Sequence, residues 1–520
     1  MSAAASTEQA AAVGPAVPMR GEYVGTTRDG VTHFPGVRYG SRLDPLDRFS
    51  TLGDPAPGPV QAGATVFPQS PGSLDWLIGP ALQRLPHNED SFLVDIWAPE
   101  GGRDLPVLVF IPGGAFISGA GNVSWYDGAR LAAEGNAVVV TVSYRLGALA
   151  LLGGDDAPLN LGISDILQAL TWVSANIGTF GGDPAAVTLA GHSAGAWYAY
   201  VLSLAPGARG LFRRTALFSL PWQPPLGPEA YADRRELLRT FLADTSDAGT
   251  AAIDPSPKTS SPGSPSPENG GLAAAPVEAI LAAQAGIGRA YAGRGLGMVP
   301  AADGVLVPDW AMDFGRAAAA LHVESLLLCS TENEAAAFLH ALPVPAVGAG
   351  QVAGFVTGHF QDSRAVLDYL DTQLPDATPH ARLVEAMSLH QFRLAATELA
   401  GHASDAGVDA TLVRFAVPSR LEGAGSPHCF ELPFLFGNRA HWPEAPMLAG
   451  FPEEDFDAVS GQMRPLLLGF VADGRARTAG GAPVDVFARD RSRLHAVTEA
   501  GTVRGRLEPE LRPRRQGTPG

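Results

Sequence analysis

The chain has 520 residues, of which 46% are hydrophobic and 17% charged, a composition that supports a large buried core. Its formal net charge of -17 argues against nucleic acid and anionic membrane surfaces as partners. Two cysteines, Cys329 and Cys429, are too few for a disulfide framework at this length, so we expect both to be reduced. The N-terminus lacks the basic region of a secretory signal, and no apolar run reaches membrane-spanning length. We therefore expect a cytoplasmic protein.

Three segments differ in composition from the rest of the chain. Residues 1–18 and 505–520 are rich in Ala, Pro, Gly and Arg, which predicts a disordered N-terminal tail and a loose C-terminal tail. Residues 254–271 are dense in Pro and Ser and predict a mobile surface loop. The remaining chain, residues 19–504, is predicted to form one large domain, because α/β proteins often spend such lengths on one sheet with insertions.

Short apolar runs alternate with longer amphipathic segments along this domain. The predicted strands are PVLVFI (106–111), AVVVTVSY (137–144), VTLAG (187–191), SLLLCS (325–330) and, more weakly, TLVRFAV (411–417). Between the second and third strands, apolar residues from Ile163 to Ile177 recur at spacings of three and four, which predicts a helix. This alternation predicts a mainly parallel sheet with helices on both faces. Ligands of such sheets bind beyond the carboxyl ends of the strands.

A glycine-containing loop, Pro112-Gly113-Gly114-Ala115-Phe116, directly follows the first of these strands. Small residues let the backbone approach a substrate and direct N–H groups at a carbonyl oxygen that becomes negative. The alternative is a plain glycine turn. The position of the loop ahead of a GxSxG motif favours the functional interpretation.

That motif is Gly191-His192-Ser193-Ala194-Gly195, between the third strand and a predicted helix. Small residues around a serine permit a tight strand-to-helix turn that exposes its Oγ above the sheet, so we expect Ser193 to be a nucleophile. A chance match is the alternative, and the strand before and the helix after argue against it. His192 adjoins the serine, but neighbours on a sharp turn point apart. We therefore expect His192 to support the site or to pack, rather than to act as the base.

Several segments together resemble the type-B carboxylesterases, the family of p-nitrobenzyl esterases and cholinesterases. The segments are DGVTHFPGVRYG, NEDSFLVDIWAP, SYRLGALALL and NIGTFGGDPAAVTLAGHSAGA, within a resemblance from about Gly21 to about Gly474. The resemblance implies an α/β-hydrolase fold: a mainly parallel central sheet with helices on both faces and large helical and loop insertions. It also implies an oxyanion hole made by the N–H groups of Gly114, Ala115 and Ala194.

The resemblance further implies a glutamate as the catalytic acid and a histidine as the general base. Aligning the SLLLCS strand and the downstream Phe338 puts Glu334 on the acid, with Glu332 as the competing choice and a solvated loop carboxylate as the alternative for either. The run HCFELPFLFG matches the family's H-x-x-E-hydrophobic-P-F-x-F-G pattern and implies that His428 is the base.

This chain departs from the family at several positions near the motifs. Pro112 stands where histidine or an aromatic residue is usual, and His192 stands where glutamate is usual. The cysteines of the first family disulfide are replaced near Phe67 and at Ser91, and Ser219-Leu220-Pro221 replaces the usual SGS. These changes leave the expected triad intact but alter the wall of the pocket.

The expected activity is hydrolysis of small, uncharged, partly apolar carboxylic esters through an acyl-serine intermediate. No cofactor or metal is expected, because the sequence offers no clustered His, Cys or Asp at metal-ligand spacing. Two alternatives stay open. The first is a carbamate or amide hydrolase on the same scaffold, and the less favoured second is a catalytically silent binding protein of the family. The sequence does not fix the oligomeric state.

Overall fold

Continuous apolar runs form the central strands of a large twisted sheet in the computed structural model. The structure describes residues 19–515, apart from 21, 57, 59, 154–156, 251–270, 341–343, 489–493, 506 and 509. The predicted N-terminal tail, residues 1–18, lies outside the described residues. So does the predicted mobile loop, except for its last residue, Gly271, which begins a helix.

The strands, in chain order, are β1 (Met19–Arg20), β2 (Tyr23–Val24), β3 (Thr26–Arg28), β4 (Val31–Arg38), β5 (Leu93–Pro99), β6 (Leu105–Ile111), β7 (Val138–Val142), β8 (Gly182–His192), β9 (Arg214–Phe218), β10 (Ser325–Thr331), β11 (Asp409–Phe415), β12 (Leu494–Thr498) and β13 (Gly501–Gly505). The α-helices are α1 (Asp75–Ile78), α2 (Ala129–Gly135), α3 (Gly147–Leu151), α4 (Leu161–Asn176), α5 (Ala194–Leu202), α6 (Pro228–Thr250), α7 (Gly271–Ala274), α8 (Val277–Ala290), α9 (Phe314–Ala318), α10 (Ala336–Leu339), α11 (Ala349–His359), α12 (Ser363–Gln373), α13 (Pro379–Ser388), α14 (Leu394–Asp405), α15 (Leu432–Phe436) and α16 (Glu453–Asp473). A π-helical turn, Leu389–Arg393, joins α13 to α14.

Eleven of the described strands form one sheet, in the order β13-β12-β11-β10-β9-β8-β6-β7-β5-β4-β3. The strands from β7 to β12 in this order pair in parallel. The two edges are antiparallel, with β3, β4 and β5 at one edge and β13 at the other. The predicted mainly parallel sheet and the α/β-hydrolase fold are therefore confirmed, and all five predicted strands lie in the parallel part.

Both faces of the central strands are covered. In β6, Val107 and Val109 belong to one hydrophobic cluster, while Leu108 and Phe110 belong to the cluster on the other face. All four side chains are fully buried. Because successive side chains of a strand point to opposite faces, a strand covered on both sides needs an unbroken apolar run. No helix among the described residues is both long and apolar enough to cross a membrane.

The prediction of a loose C-terminal tail is wrong for the part of the tail that the structure describes. The Glu508 carboxylate lies 3.0 Å from Arg393 and 3.0 Å from Arg414, and both guanidiniums are buried. Leu511 is buried in a small hydrophobic cluster, and Arg515 forms an ion pair of 2.9 Å with Glu398. The tail is charged and Pro-rich, so its composition suggested solvation, but buried cations elsewhere in the fold bind it.

Glu508 is held in its charged form. Burial alone would raise the pKa of its carboxyl, but the Arg414 and Arg393 guanidiniums outweigh burial and lower this pKa to about 2. An unfolded glutamate has a pKa of about 4.3. The contribution of this group to folding stability is therefore present above about pH 4.3 and is lost as the pH falls towards about 2.

We expect Glu508→Gln to lower the free energy of unfolding near neutral pH by about 3 kcal/mol, the lower end of the range for breaking a buried ion pair. Glu385 stays beside Arg393 and limits the loss. Denaturant midpoints at about pH 7 and about pH 3 would test this, since the difference from wild type should narrow at the lower pH. Glu510→Gln is the matched control, because its side chain is 93% exposed. Equal midpoints for both variants at neutral pH would contradict the prediction.

Candidate active site

Ser193 lies on a strained turn between β8 and α5. Its backbone has φ 54° and ψ -120°, a combination that residues with a side chain rarely adopt. The Ser193 N–H donates to the Phe218 carbonyl oxygen of β9 at 2.9 Å, which fixes the turn to the sheet. The expected strand-turn-helix context of the GxSxG motif is therefore present. The positive end of the α5 helix dipole lies directly behind the serine.

Glycines make this turn possible by removing side chains from close contacts. A Cβ atom on Gly195 would lie 2.1 Å from the Ile111 carbonyl oxygen, and one on Gly191 would lie 2.3 Å from the Gly195 carbonyl oxygen. A Cβ on Gly113 would lie 3.0 Å from Ser193 Cβ, so the glycine loop rests directly against the serine.

The loop after β6 has an unusual backbone conformation. Gly114, Ala115 and Phe116 all have positive φ, at 132°, 52° and 66°. Ser118 and Ile117 close the loop by donating to the Gly114 carbonyl oxygen at 3.0 Å. Within the described part of the chain, the N–H groups of Gly114 and Ala115 have no backbone acceptor outside helices and strands, and Ala194 is the first residue of α5, where N–H groups lack a partner within the helix.

Glu334 and His428 form a direct buried contact. His428 Nδ1 lies 2.5 Å from Glu334 Oε2, and neither side chain is more than 1% exposed. Glu334 follows the carboxyl end of β10, and its other oxygen accepts a hydrogen bond of 2.8 Å from the Thr331 N–H. Phe338 and Phe392 pack about the imidazole, with ring centroids 5.1 Å and 5.2 Å from it. The pair is thus fixed in orientation.

The two candidate glutamates lie in different environments. Glu332 forms ion pairs with Arg393 at 3.0 Å and Arg414 at 3.2 Å, and its side chain is 40% exposed. Glu334 is the glutamate in contact with His428. Burial alone would raise the pKa of Glu334, but the charge and hydrogen bond of His428, with the hydrogen bond of the Thr331 N–H, lower it overall. Glu334 is therefore ionised at neutral pH.

A second buried glutamate, Glu431, lies beside this pair, and sequence reasoning assigned it no role. Its Oε1 accepts a hydrogen bond of 3.2 Å from Ser219 Oγ and lies 3.2 Å from His192 Nε2. Burial, with the nearby Glu334 charge acting in the same direction, raises the pKa of Glu431 to about 8. At neutral pH the site therefore holds one ionised and one neutral carboxyl. The spacing of three residues from His428 was the sequence signal that could have identified it.

His192 is buried next to His428, as expected of a supporting residue. The centroids of the two rings are 4.7 Å apart. Burial lowers the pKa of His192 well below its ordinary range, and proximity to His428 acts in the same direction. His192 is therefore neutral at physiological pH.

One cavity of about 370 Å³ brings the predicted residues together. Ser193, His428, Gly114, Ala115 and Ala194 all line it, while Glu334 lies behind His428 and outside its wall. The wall is mainly aliphatic and aromatic, and its described residues include neither lysine nor arginine. Asp75 is its one carboxylate among the described lining residues. Pro221, from the segment that departs from the family, also forms part of the wall.

Comparisons with known proteins agree with this architecture. Residues 15–502 match the family model described as the carboxylesterase family. A probable N-octanoylanthranilate hydrolase from Rhodococcus erythropolis is 30% identical over 88% of this chain and 92% of its own length. Phenmedipham hydrolase from Pseudarthrobacter oxydans is 27% identical over 82% of this chain and 80% of its own length.

A solved structure of a PNB esterase superposes with a TM-score of 0.75 at 24% identity, covering 93% of this chain and 95% of that one, which shows a shared fold. The family match covers most of the chain, and the expected resemblance to type-B carboxylesterases is confirmed. The chain belongs to the carboxylesterase family and is a carboxylic ester hydrolase.

Proposed function

We propose that the chain hydrolyses uncharged, partly apolar esters by a Ser193–His428–Glu334 triad. The observation that carries the proposal is the buried contact of 2.5 Å between His428 and Glu334, beside a cavity that Ser193 and His428 share. A carboxylate at Nδ1 keeps the proton on that nitrogen, which leaves Nε2 able to accept the Ser193 Oγ proton.

Catalysis then proceeds in two acyl-transfer steps. His428 takes the Oγ proton as Ser193 attacks the ester carbonyl, and the Glu334 charge stabilises the imidazolium that forms. The N–H groups of Gly114, Ala115 and Ala194 donate to the developing oxyanion. The imidazolium then gives its proton to the leaving alcohol, and water hydrolyses the acyl-serine by the same route. Each oxyanion donor typically contributes about 3 kcal/mol of transition-state stabilisation.

The residues that line the cavity favour uncharged substrates. A volume of about 370 Å³ with aliphatic and aromatic lining suits a small acyl or aryl group. An anionic substrate group would be desolvated without a described lysine or arginine to pair with, and Asp75 would repel it. The substrate in the name of the Rhodococcus relative contains an anthranilate carboxylate. We therefore propose that this chain hydrolyses N-octanoylanthranilate more slowly than an uncharged analogue.

Hydrolysis of aryl amides or carbamates is the second candidate, favoured by the two relatives named above, which cover most of the chain. The same acyl-serine chemistry serves these substrates, with an amine as the leaving group. Initial rates with p-nitrophenyl butyrate, an uncharged aryl carbamate and octananilide would rank the candidates. Octananilide and N-octanoylanthranilate form a matched pair that differs by one carboxylate. A preference for the anion would contradict the proposed role of the cavity wall.

We expect Ser193→Ala to abolish hydrolysis of p-nitrophenyl butyrate while the circular dichroism spectrum stays that of wild type. A sulfonyl fluoride should label wild-type protein once, at Ser193, because the activated Oγ is the expected nucleophile. Peptide mass spectrometry would locate the label. Labelling at a different serine would reject the assignment.

We expect Glu334→Gln to lower kcat by about four orders of magnitude, as loss of a triad carboxylate does. Glu332→Gln is the matched control, since Glu332 contacts Arg393 and Arg414. That variant should keep most of the wild-type kcat below its unfolding temperature. The reverse ranking of the two variants would transfer the acid to Glu332.

A further inference from the structure

Two histidines and a cysteine come together at the edge of the cavity. One ring nitrogen each of His192 and His428 and the Cys429 sulfur lie within 4.8 Å of one another, and all three side chains are buried. The sequence predicts no metal site, because His192 is far from the other two along the chain. Topology joins them: His192 ends β8, and the other two residues follow β11.

Each histidine has a buried glutamate at one nitrogen. His428 Nδ1 contacts Glu334, and His192 Nε2 lies 3.2 Å from Glu431. The His192 contact lacks hydrogen-bond alignment, so this buried nitrogen has no hydrogen-bond partner in the described part of the chain. Histidines that bind metals usually have a carboxylate or carbonyl at the second ring nitrogen, which orients the ring and strengthens the ligand. The His428 ring has this arrangement, and the His192 ring has a carboxyl beside its second nitrogen without an aligned hydrogen bond.

Cys429 is held in an unusual backbone conformation. Its φ of 75° is in the left-handed region, which glycine adopts more readily than cysteine. Cys429 lines the same cavity as Ser193. Backbone strain of this kind is concentrated at active sites and ligand-binding sites.

We propose that His192, His428 and Cys429 form a binding site for a thiophilic divalent cation, with Zn²⁺ as the type ion, and that the bound ion inhibits the enzyme reversibly. Zn²⁺ prefers nitrogen and sulfur ligands, and three protein ligands leave a fourth position for water. Tetrahedral metal–ligand bonds of about 2.0 to 2.3 Å place the ligand atoms about 3.3 to 3.8 Å from one another. The two candidate ligand atoms that lie farthest apart, at up to 4.8 Å, therefore have to move about 1 Å closer when the ion binds. The Cys429 thiol releases its proton to solvent as the metal–sulfur bond forms.

The inhibitory effect rests on the proposed role of His428. Because Nδ1 of His428 contacts Glu334, an ion on this ring takes the Nε2 lone pair, which in the proposed mechanism would accept the Oγ proton. The ion and the proton transfer therefore exclude each other. Mg²⁺ and Ca²⁺ should not inhibit, because these cations prefer oxygen ligands.

The first experiment uses the full chain after removal of metals by dialysis against a chelator. Equilibrium dialysis should give one bound Zn²⁺ per chain, and hydrolysis of p-nitrophenyl butyrate should fall in parallel and recover with a chelator. Absence of binding would overturn the site. Stoichiometric binding with undiminished turnover would instead overturn the proposed inhibition.

Variants then identify the ligands. Cys429→Gly, which suits the positive φ, and His192→Gln should each raise the inhibitory Zn²⁺ concentration by at least about tenfold. Each rate is expressed relative to the same variant without metal, so a change in basal turnover does not enter. Cys329→Ala is the matched control, since Cys329 is also buried and unpaired but belongs to β10. Equal sensitivity of Cys429→Gly and wild type, or loss of sensitivity in Cys329→Ala, would overturn the proposal.

Cobalt substitution gives a readout that does not depend on activity. Co²⁺ bound to the wild-type chain should show the near-ultraviolet absorption of a cobalt–thiolate bond, and Cys429→Ser should lack it while still folding. A thiolate band that persists in Cys429→Ser would place the ion elsewhere and overturn the assignment.

Discussion

The close approach between the end of β6 and the first turn of α5 is the contact on which the rest of the site depends. Gly195 lies so near the Ile111 carbonyl that any side chain there would collide with the backbone. This contact holds the turn at Ser193 in its strained conformation and sets the glycine loop against the serine. Loss of the contact would displace the serine and the loop together, because both turns share it. The geometry of the site therefore depends on the neighbouring parallel strands β6 and β8, from which the loop and the serine turn begin.

The second constraint is the cost of burying charged side chains. The fold meets this cost by giving a buried charge a partner of opposite charge or a hydrogen bond. Behind the cavity, Glu334 is ionised because His428 and the Thr331 N–H supply charge and hydrogen bonds. Glu431 accepts a hydrogen bond from Ser219, but burial and the Glu334 charge outweigh it, so Glu431 keeps its proton at neutral pH. Two buried carboxyls of the same chemical type thus carry different charges because their neighbours differ. The arrangement keeps a single negative charge beside the imidazole.

Local sequence signals predicted the features that depend on local physics. Five strands could be predicted from apolar runs in the sequence, because strands covered on both faces need continuous apolar residues. These strands are β6, β7, β8, β10 and β11. The GxSxG motif could be recognised because its residues are contiguous, although Gly195 is required by a contact with the distant Ile111 carbonyl. The antiparallel edge from β3 to β5 was not assigned as strands from residue patterns. Its β4–β5 pairing shifts register between Phe34 and Val37, so simple alternation is interrupted.

Features that depend on distant contacts were harder to predict. The resemblance selected Glu334 over Glu332, but the environments that distinguish them arise from Arg393 and Arg414, which are far away in sequence. The cluster of His192 with Cys429 has no local pattern, since β8 and β11 bring the residues together. The C-terminal segment was mistaken for a solvated tail, because its partners lie on other elements. The triad roles themselves stay predictions.

The packing of Glu508 and Arg515 has a consequence for biosynthesis. Arg515 donates to the His390 carbonyl oxygen at 2.9 Å and lies over the Trp222 ring, while Glu508 pairs with Arg393. These contacts support the π-helical turn, whose Gln391 and Phe392 line the cavity. A ribosome makes the turn long before it makes the segment that supports it. The pocket wall is therefore completed only after Glu508 and Arg515 emerge from the ribosome, so the nascent chain lacks its finished pocket until then.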